Sequence, residues 1–342
     1  LAHVLMMMIL WVIIYSYLIL SAIEYGASYY LFYGKCVIRR DSEYDTLYPY
    51  LSPVSEITNF CFVLLFALVI TFSPDLFLNN QTQLAYAGIL AIILILVKGT
   101  FFSLLEWFPN KSRGHQICLA GNGIIGVLIP PVLGISMVIS EGGFSGAGAG
   151  SPEAFAAGLI TNVYFWSVMV IAVISIFYIS AMYLTLFAHT SRDETLSANM
   201  RMHAIFWSMP TVMASVFVFI GLEKQNPVHF MRVLDYSWLF LLSLVCLFLA
   251  VLFIFLKRWY FLSFGLVMAQ YFFALLGYTL SHLPYIMYPS IRISAEASRL
   301  AGNFWLLLIV MGLSFTLVLF YLRIKAKQIR KNEAFRKFNS KE

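Results

Sequence analysis

Apolar residues run through this chain in blocks of roughly 20, without the apolar–polar alternation of strands. Blocks of that length cross a hydrocarbon layer about 30 Å thick when coiled into α-helix, at about 1.5 Å per residue. A membrane β-barrel needs alternating strands of about 10 residues, so the pattern excludes one. Nine spans are predicted, over 4–33, 55–77, 83–106, 116–139, 156–188, 200–221, 235–256, 259–284 and 303–323. The first block has no basic leader and no small-residue cleavage site, and it is too long for a signal peptide; it reads as a retained helix.

The longest flexible connection is 140–155, Ser-Glu-Gly-Gly-Phe-Ser-Gly-Ala-Gly-Ala-Gly-Ser-Pro-Glu-Ala-Phe. It predicts an organisation for an all-α polytopic membrane protein. Residues 1–139 form a first four-helix half and 140–155 an extracytoplasmic loop. Residues 156–284 form a second four-helix half, and 285–342 a ninth, peripheral helix with a basic cytoplasmic tail. An even number of crossings returns the chain to its starting side, so the halves would be related in parallel. No sequence repeat joins them.

Composition agrees. Hydrophobic residues make up 61% of the 342 positions and charged residues 11%, with mean hydropathy +0.85. A water-soluble domain carries about 25% charged residues, so most of this surface faces lipid. The net charge of +6 would suit nucleic acid if it were clustered. Instead, 17 of the 22 Lys and Arg residues follow odd-numbered spans and 4 follow even-numbered ones, with Lys98 inside the third span. Basic residues stay in the cytoplasm, which predicts an outer amino terminus and a cytoplasmic carboxyl terminus. Cys36, Cys61, Cys118 and Cys246 are scattered, with no C-x-x-C pair; neither a metal knuckle nor a disulfide framework is indicated.

Ionisable side chains inside spans are costly, and each is a candidate for function. Glu24, Glu56, Lys98 and Glu106 qualify. In the predicted topology Glu24 is late in an inward-running helix, Glu56 opens an outward-running one, and Glu106 closes the third span. Lys98 lies two turns deeper than Glu106, about 12 Å along the axis. The three carboxylates thus fall in the cytoplasmic half of the first three helices. Desolvation there disfavours the charged form, and a carboxyl that is sometimes protonated can relay protons. The competing reading places Glu56 and Glu106 at headgroup level in contact with water. Lys98 reads better as an ion-pair partner than as a catalytic group.

The histidines do not suggest a paired haem clamp. His3, His115, His189 and His229 fall at or near span ends, where a solvated imidazole needs no cofactor, and His203 and His282 belong to opposite membrane sides. A lone axial ligand stays open as an alternative. The tyrosines along the first span (Tyr15, Tyr17, Tyr25, Tyr29, Tyr30 and Tyr33) suit helix packing better than a bound ligand. Pro130-Pro131 bends the fourth span, and Gly121, Gly123 and Gly126 before it permit close helix contact.

Three segments in order resemble subunit II of bacterial cytochrome bd quinol oxidases. Ile23-Glu24-Tyr25-Gly26-Ala27 is similar to that family's acidic-aromatic-glycine motif. The run Tyr50-Leu51-Ser52-Pro53-Val54-Ser55-Glu56-Ile57-Thr58-Asn59 resembles its Pro-Val-Trp-acidic segment. Gly126-Val127-Leu128-Ile129-Pro130-Pro131-Val132-Leu133-Gly134, followed by Glu141-Gly142-Gly143-Phe144, resembles its fourth span and exit. The motifs cover the first 145 or so residues; beyond them the span pattern carries the likeness. Ser55 stands where the family often has Trp, and Glu24 and Glu56 stand where many members have Asp, which points to a divergent or Gram-positive branch.

The resemblance implies a subunit of a quinol:oxygen oxidoreductase in a bacterial cytoplasmic membrane. The complex oxidises a quinol at the outer face and reduces oxygen to water with protons from the cytoplasm. Its haems, two b-type and one d-type, belong to subunit I, the partner; none is expected on this chain, and no metal either. A lipid or quinone is the other ligand the family allows, and a small single-helix accessory subunit the other partner. Glu24, Glu56, Glu106 and Lys98 become proton-pathway candidates, and an oxygen route is a further expectation. Two alternatives compete: a secondary transporter, against which the lack of a second helix break counts, and a purely structural membrane subunit.

Overall fold

The computed structural model describes residues 2–38, 41–72, 81–110, 112–143, 151–289 and 291–292. Ten α-helices account for nearly all of them: α1 (Ala2–Phe32), α2 (Asp41–Phe72), α3 (Gln81–Leu105), α4 (Arg113–Ser140), α5 (Pro152–Ile160), α6 (Val163–Thr190), α7 (Glu194–Gln225), α8 (Pro227–Asp235), α9 (Ser237–Phe255) and α10 (Tyr260–His282). A turn of π-helix, Tyr33–Ile38, extends α1. Among the described residues the one strand pair is a short antiparallel hairpin of β1 (Tyr285–Met287) and β2 (Ile291–Arg292).

Among the described residues, eight helices are long and apolar enough to cross a membrane: all but the short α5 and α8. The predicted ninth span, 303–323, lies outside the described residues, as does the basic tail. Lipid cannot bond backbone groups, so each crossing must satisfy its own N–H and C=O groups as a helix. At the helix ends polar side chains finish the task. Ser112, Ser151, Asn162, Asp193 and Asn226 each accept a hydrogen bond from the backbone N–H three residues on.

Two predicted boundaries are corrected. The span 156–188 is not one helix: Thr161 and Asn162 break it, because Asn162 Oδ1 takes the Phe165 N–H at 3.1 Å and starts α6 afresh. The helix of the second span begins at Asp41 and its apolar stretch at Leu47 rather than near residue 55, with Pro49 and Pro53 inside the helix. Glu56 therefore sits well within α2 instead of opening it.

Left-handed residues at Arg192 (φ 58°) and Lys257 (φ 57°) turn the chain sharply after α6 and after α9. α6 and α7 pack as one antiparallel pair, α9 and α10 as another, and α3 and α4 as a third. α1 packs on α2, α4 and α6, so α1 and α4 join the first four long helices to the later ones through α6. Small residues set the closest crossing. A Cβ at Gly26 would lie 2.0 Å from Ser180 Oγ and 2.9 Å from the Ile176 carbonyl oxygen, so only glycine lets α1 rest on α6 there. The tyrosines of α1 are spent on packing: Tyr15 donates to the Met268 carbonyl (2.7 Å), Tyr30 to that of Phe177 (3.3 Å), and the Tyr17 and Tyr25 hydroxyls meet at 3.4 Å.

Candidate functional site

Of the four predicted residues, the structure brings Glu24 and Lys98 together. Glu24 lies two-thirds along α1 and is fully buried; Lys98 reaches it from α3 and is 5% exposed. Lys98 Nζ donates to Glu24 Oε1. The same ammonium lies 5.2 Å from the centre of the Tyr25 ring, a favourable cation–π placement. Gly126 of α4 makes the room: a Cβ there would stand 3.2 Å from Lys98 Cε. The first and third motifs of the chain thus meet around one lysine.

The pair solves an electrostatic problem. A lone charge in a low-dielectric interior carries a desolvation penalty of several kcal/mol, whereas an ion pair with good geometry offsets much of it. One carboxylate oxygen, Oε2, is buried and has no hydrogen-bond partner among the described residues. Glu56 is half-buried in α2, and Glu106 is exposed at the turn following α3. Neither joins the pair.

A second polar cluster went unseen in the sequence. Glu141 caps the carboxyl end of α4 and is 2% exposed. Its carboxylate accepts from Asn226 Nδ2 (3.0 Å) and Tyr278 Oη (2.5 Å), and His229 Nδ1 stands 2.9 Å from both oxygens. His282 Nδ1 lies 3.5 Å from Oε1. Burial would raise the Glu141 pKa, but contact with the two imidazoles overcomes it and holds the carboxyl down to about 2. His229 is 3% exposed, which corrects its reading as a solvated span-end residue; His115 is also buried, while His189 is exposed as expected. His203 packs on Tyr30 and Tyr33.

Comparison with known proteins decides what carries these sites. Residues 2–325 match the family described as cytochrome bd terminal oxidase subunit II. The chain belongs to that family. It is 22% identical over 298 residues to a protein of Bacillus subtilis (strain 168) named "Putative cytochrome bd menaquinol oxidase subunit II", with 83% of each chain covered. A solved bd oxidase structure from Geobacillus thermodenitrificans superimposes with a TM-score of 0.76 at 27% identity, covering 93% of this chain and 97% of that one. This subunit II is a membrane protein and a member of a quinol oxidase complex whose partner is subunit I. The likeness extends well beyond the three motifs.

Proposed function

We propose that this subunit binds no haem, is not catalytic alone, and serves the oxidase by stabilising the haem-bearing subunit I and conducting protons toward its b- and d-type haems. The buried Glu24–Lys98 pair carries the proposal. It is an ionisable pair inside the helices, net neutral at rest, with one carboxylate oxygen open to accept. A proton that reaches Oε2 converts the ion pair into a neutral acid beside an ammonium. That state is short of its stabilising attraction, so the proton is readily passed on. Glu56, nearer the basic end of its helix, receives protons from the cytoplasmic side in the orientation that the Lys and Arg asymmetry predicts, with Glu106 an exposed and dispensable collector at the same face.

The amino terminus then lies outside and the carboxyl terminus inside a bacterial cytoplasmic membrane. The substrate of the complex is a quinol; the name of the Bacillus relative favours a menaquinol. The test is Glu24→Gln in the intact two-subunit oxidase. Quinol-dependent oxygen consumption and proton uptake are expected to fall at least tenfold with the haem absorption spectrum unchanged. Unaltered turnover in an assembled Glu24→Gln complex would remove the relay and leave a structural subunit.

A further inference from the structure

Three segments distant in sequence converge at the end of the bundle where α4 and α10 finish. Glu141 follows α4, His229 lies in the first turn of α8, and His282 ends α10. One ligand atom from each falls within 4.8 Å of the other two. We propose that Glu141, His229 and His282 form a binding site for a divalent transition-metal ion of the zinc class.

The placement of His282 suits a shared ion better than it suits a hydrogen bond. Zinc holds imidazole nitrogen and carboxylate oxygen at about 2.0–2.2 Å in a tetrahedron, which sets neighbouring ligands roughly 3.4 Å apart. His282 Nδ1 is 3.5 Å from Glu141 Oε1, long for a hydrogen bond and apt for two ligands sharing an ion. The other ring nitrogen of His282, Nε2, is buried with no partner among the described residues.

His229 supplies the second argument. Its Nε2 lies 2.8 Å from Ser281 Oγ, and Ser281 gives its one proton to the Tyr278 carbonyl at 2.9 Å. Ser281 then accepts from Nε2–H, and Nδ1 faces the carboxylate, 2.9 Å from both oxygens. Among the described residues Glu141 has ion pairs with His229 and His282 only, with no lysine or arginine beside it to compete with a cation. A metal ion between the three uses all of these side chains at once.

The remaining groups fit. Asn226 Nδ2 and Tyr278 Oη hold the carboxylate, and Ser281 fixes the tautomer and tilt of His229, the supports that metal ligands ordinarily receive. His282, 11% exposed at its side chain, gives an ion its way in. Bound there, the ion ties α4, α8 and α10 together at one end of the bundle.

The experiment measures metal in the purified two-subunit oxidase, counted per complex from its haem absorbance, before and after equilibration with zinc alone and removal of free ion. One zinc per complex is expected in the wild type. His229→Ala and His282→Ala should each lower zinc occupancy at least tenfold at the same free zinc, with the haem spectrum unchanged. Zinc-edge absorption of the wild-type complex should show two imidazole nitrogens and carboxylate oxygen as ligands, and it decides the matter even where a variant does not assemble. A wild type that takes up no zinc, a His282→Ala complex that keeps it in full, or an edge spectrum without imidazole would each overturn the site and leave a proton between His229 and Glu141.

Discussion

The Lys98 ammonium of α3 meets the Glu24 carboxylate of α1 where both are shut off from solvent, with the Tyr25 ring beneath the cation. Breaking such a pair from one side strands a charge. Lys98→Met is expected to destabilise the subunit by about 3–5 kcal/mol, whereas Lys98→Met with Glu24→Gln should recover a large part of that. Thermal unfolding of the purified complex, followed for the single and double variants, reads the difference. Equal losses in both would mean that the pair is held by something other than mutual attraction.

The crossing of α1 over α6 depends on the absence of a side chain at residue 26. Gly26→Ala puts a methyl group into Ser180 Oγ and against the Ile176 carbonyl. Overpacking of this kind costs about 1–3 kcal/mol. The yield of assembled oxidase should fall, and Ser180→Gly should restore part of it, because the nearest obstacle is then gone.

Asn162 has two duties. Its Oδ1 caps α6 at the Phe165 N–H, and its Nδ2 donates to Gln225 Oε1 at 2.6 Å, the far end of α7. Asn162→Ala is expected to cost at least about 1 kcal/mol, the worth of the cap alone. Asp at this position keeps the cap but not the donor, so stability measurements on Asn162→Asp separate the two.

Glu56 and Glu106 should part company under substitution. Glu56 is half-buried within α2, while Glu106 is exposed at a turn. Glu56→Gln is expected to slow quinol-dependent oxygen consumption severalfold in the intact complex, and Glu106→Gln to leave it within about twofold. Full activity in Glu56→Gln would remove that residue from the proton path.

The spans were legible because lipid demands continuous apolar helix, and that demand is written directly into residue order. The Glu24–Lys98 contact was half legible: an isolated charge in a span needs a partner, but which carboxylate it chooses depends on how α1, α3 and α4 cross. The start of α2 was not legible from its unbroken apolar run, which begins after the helix has already carried Pro49 and Pro53. The Glu141 cluster was overlooked for a different reason. Each member sits at a helix end, where one residue at a time looks solvated. Yet Glu141, His229 and His282 all belong to the same predicted membrane side, and that shared side was the available signal.

The neutrality of the Glu24–Lys98 station has an electrical corollary. A resting pair with no net charge does no net work against the membrane voltage. A proton lodged on Oε2 has crossed part of the potential drop, and a full crossing is worth about 2.3 kcal/mol per 100 mV. Energised vesicles should therefore load this station to a different extent from collapsed ones, and the share of the voltage it senses measures how deep in the insulating layer Glu24 lies.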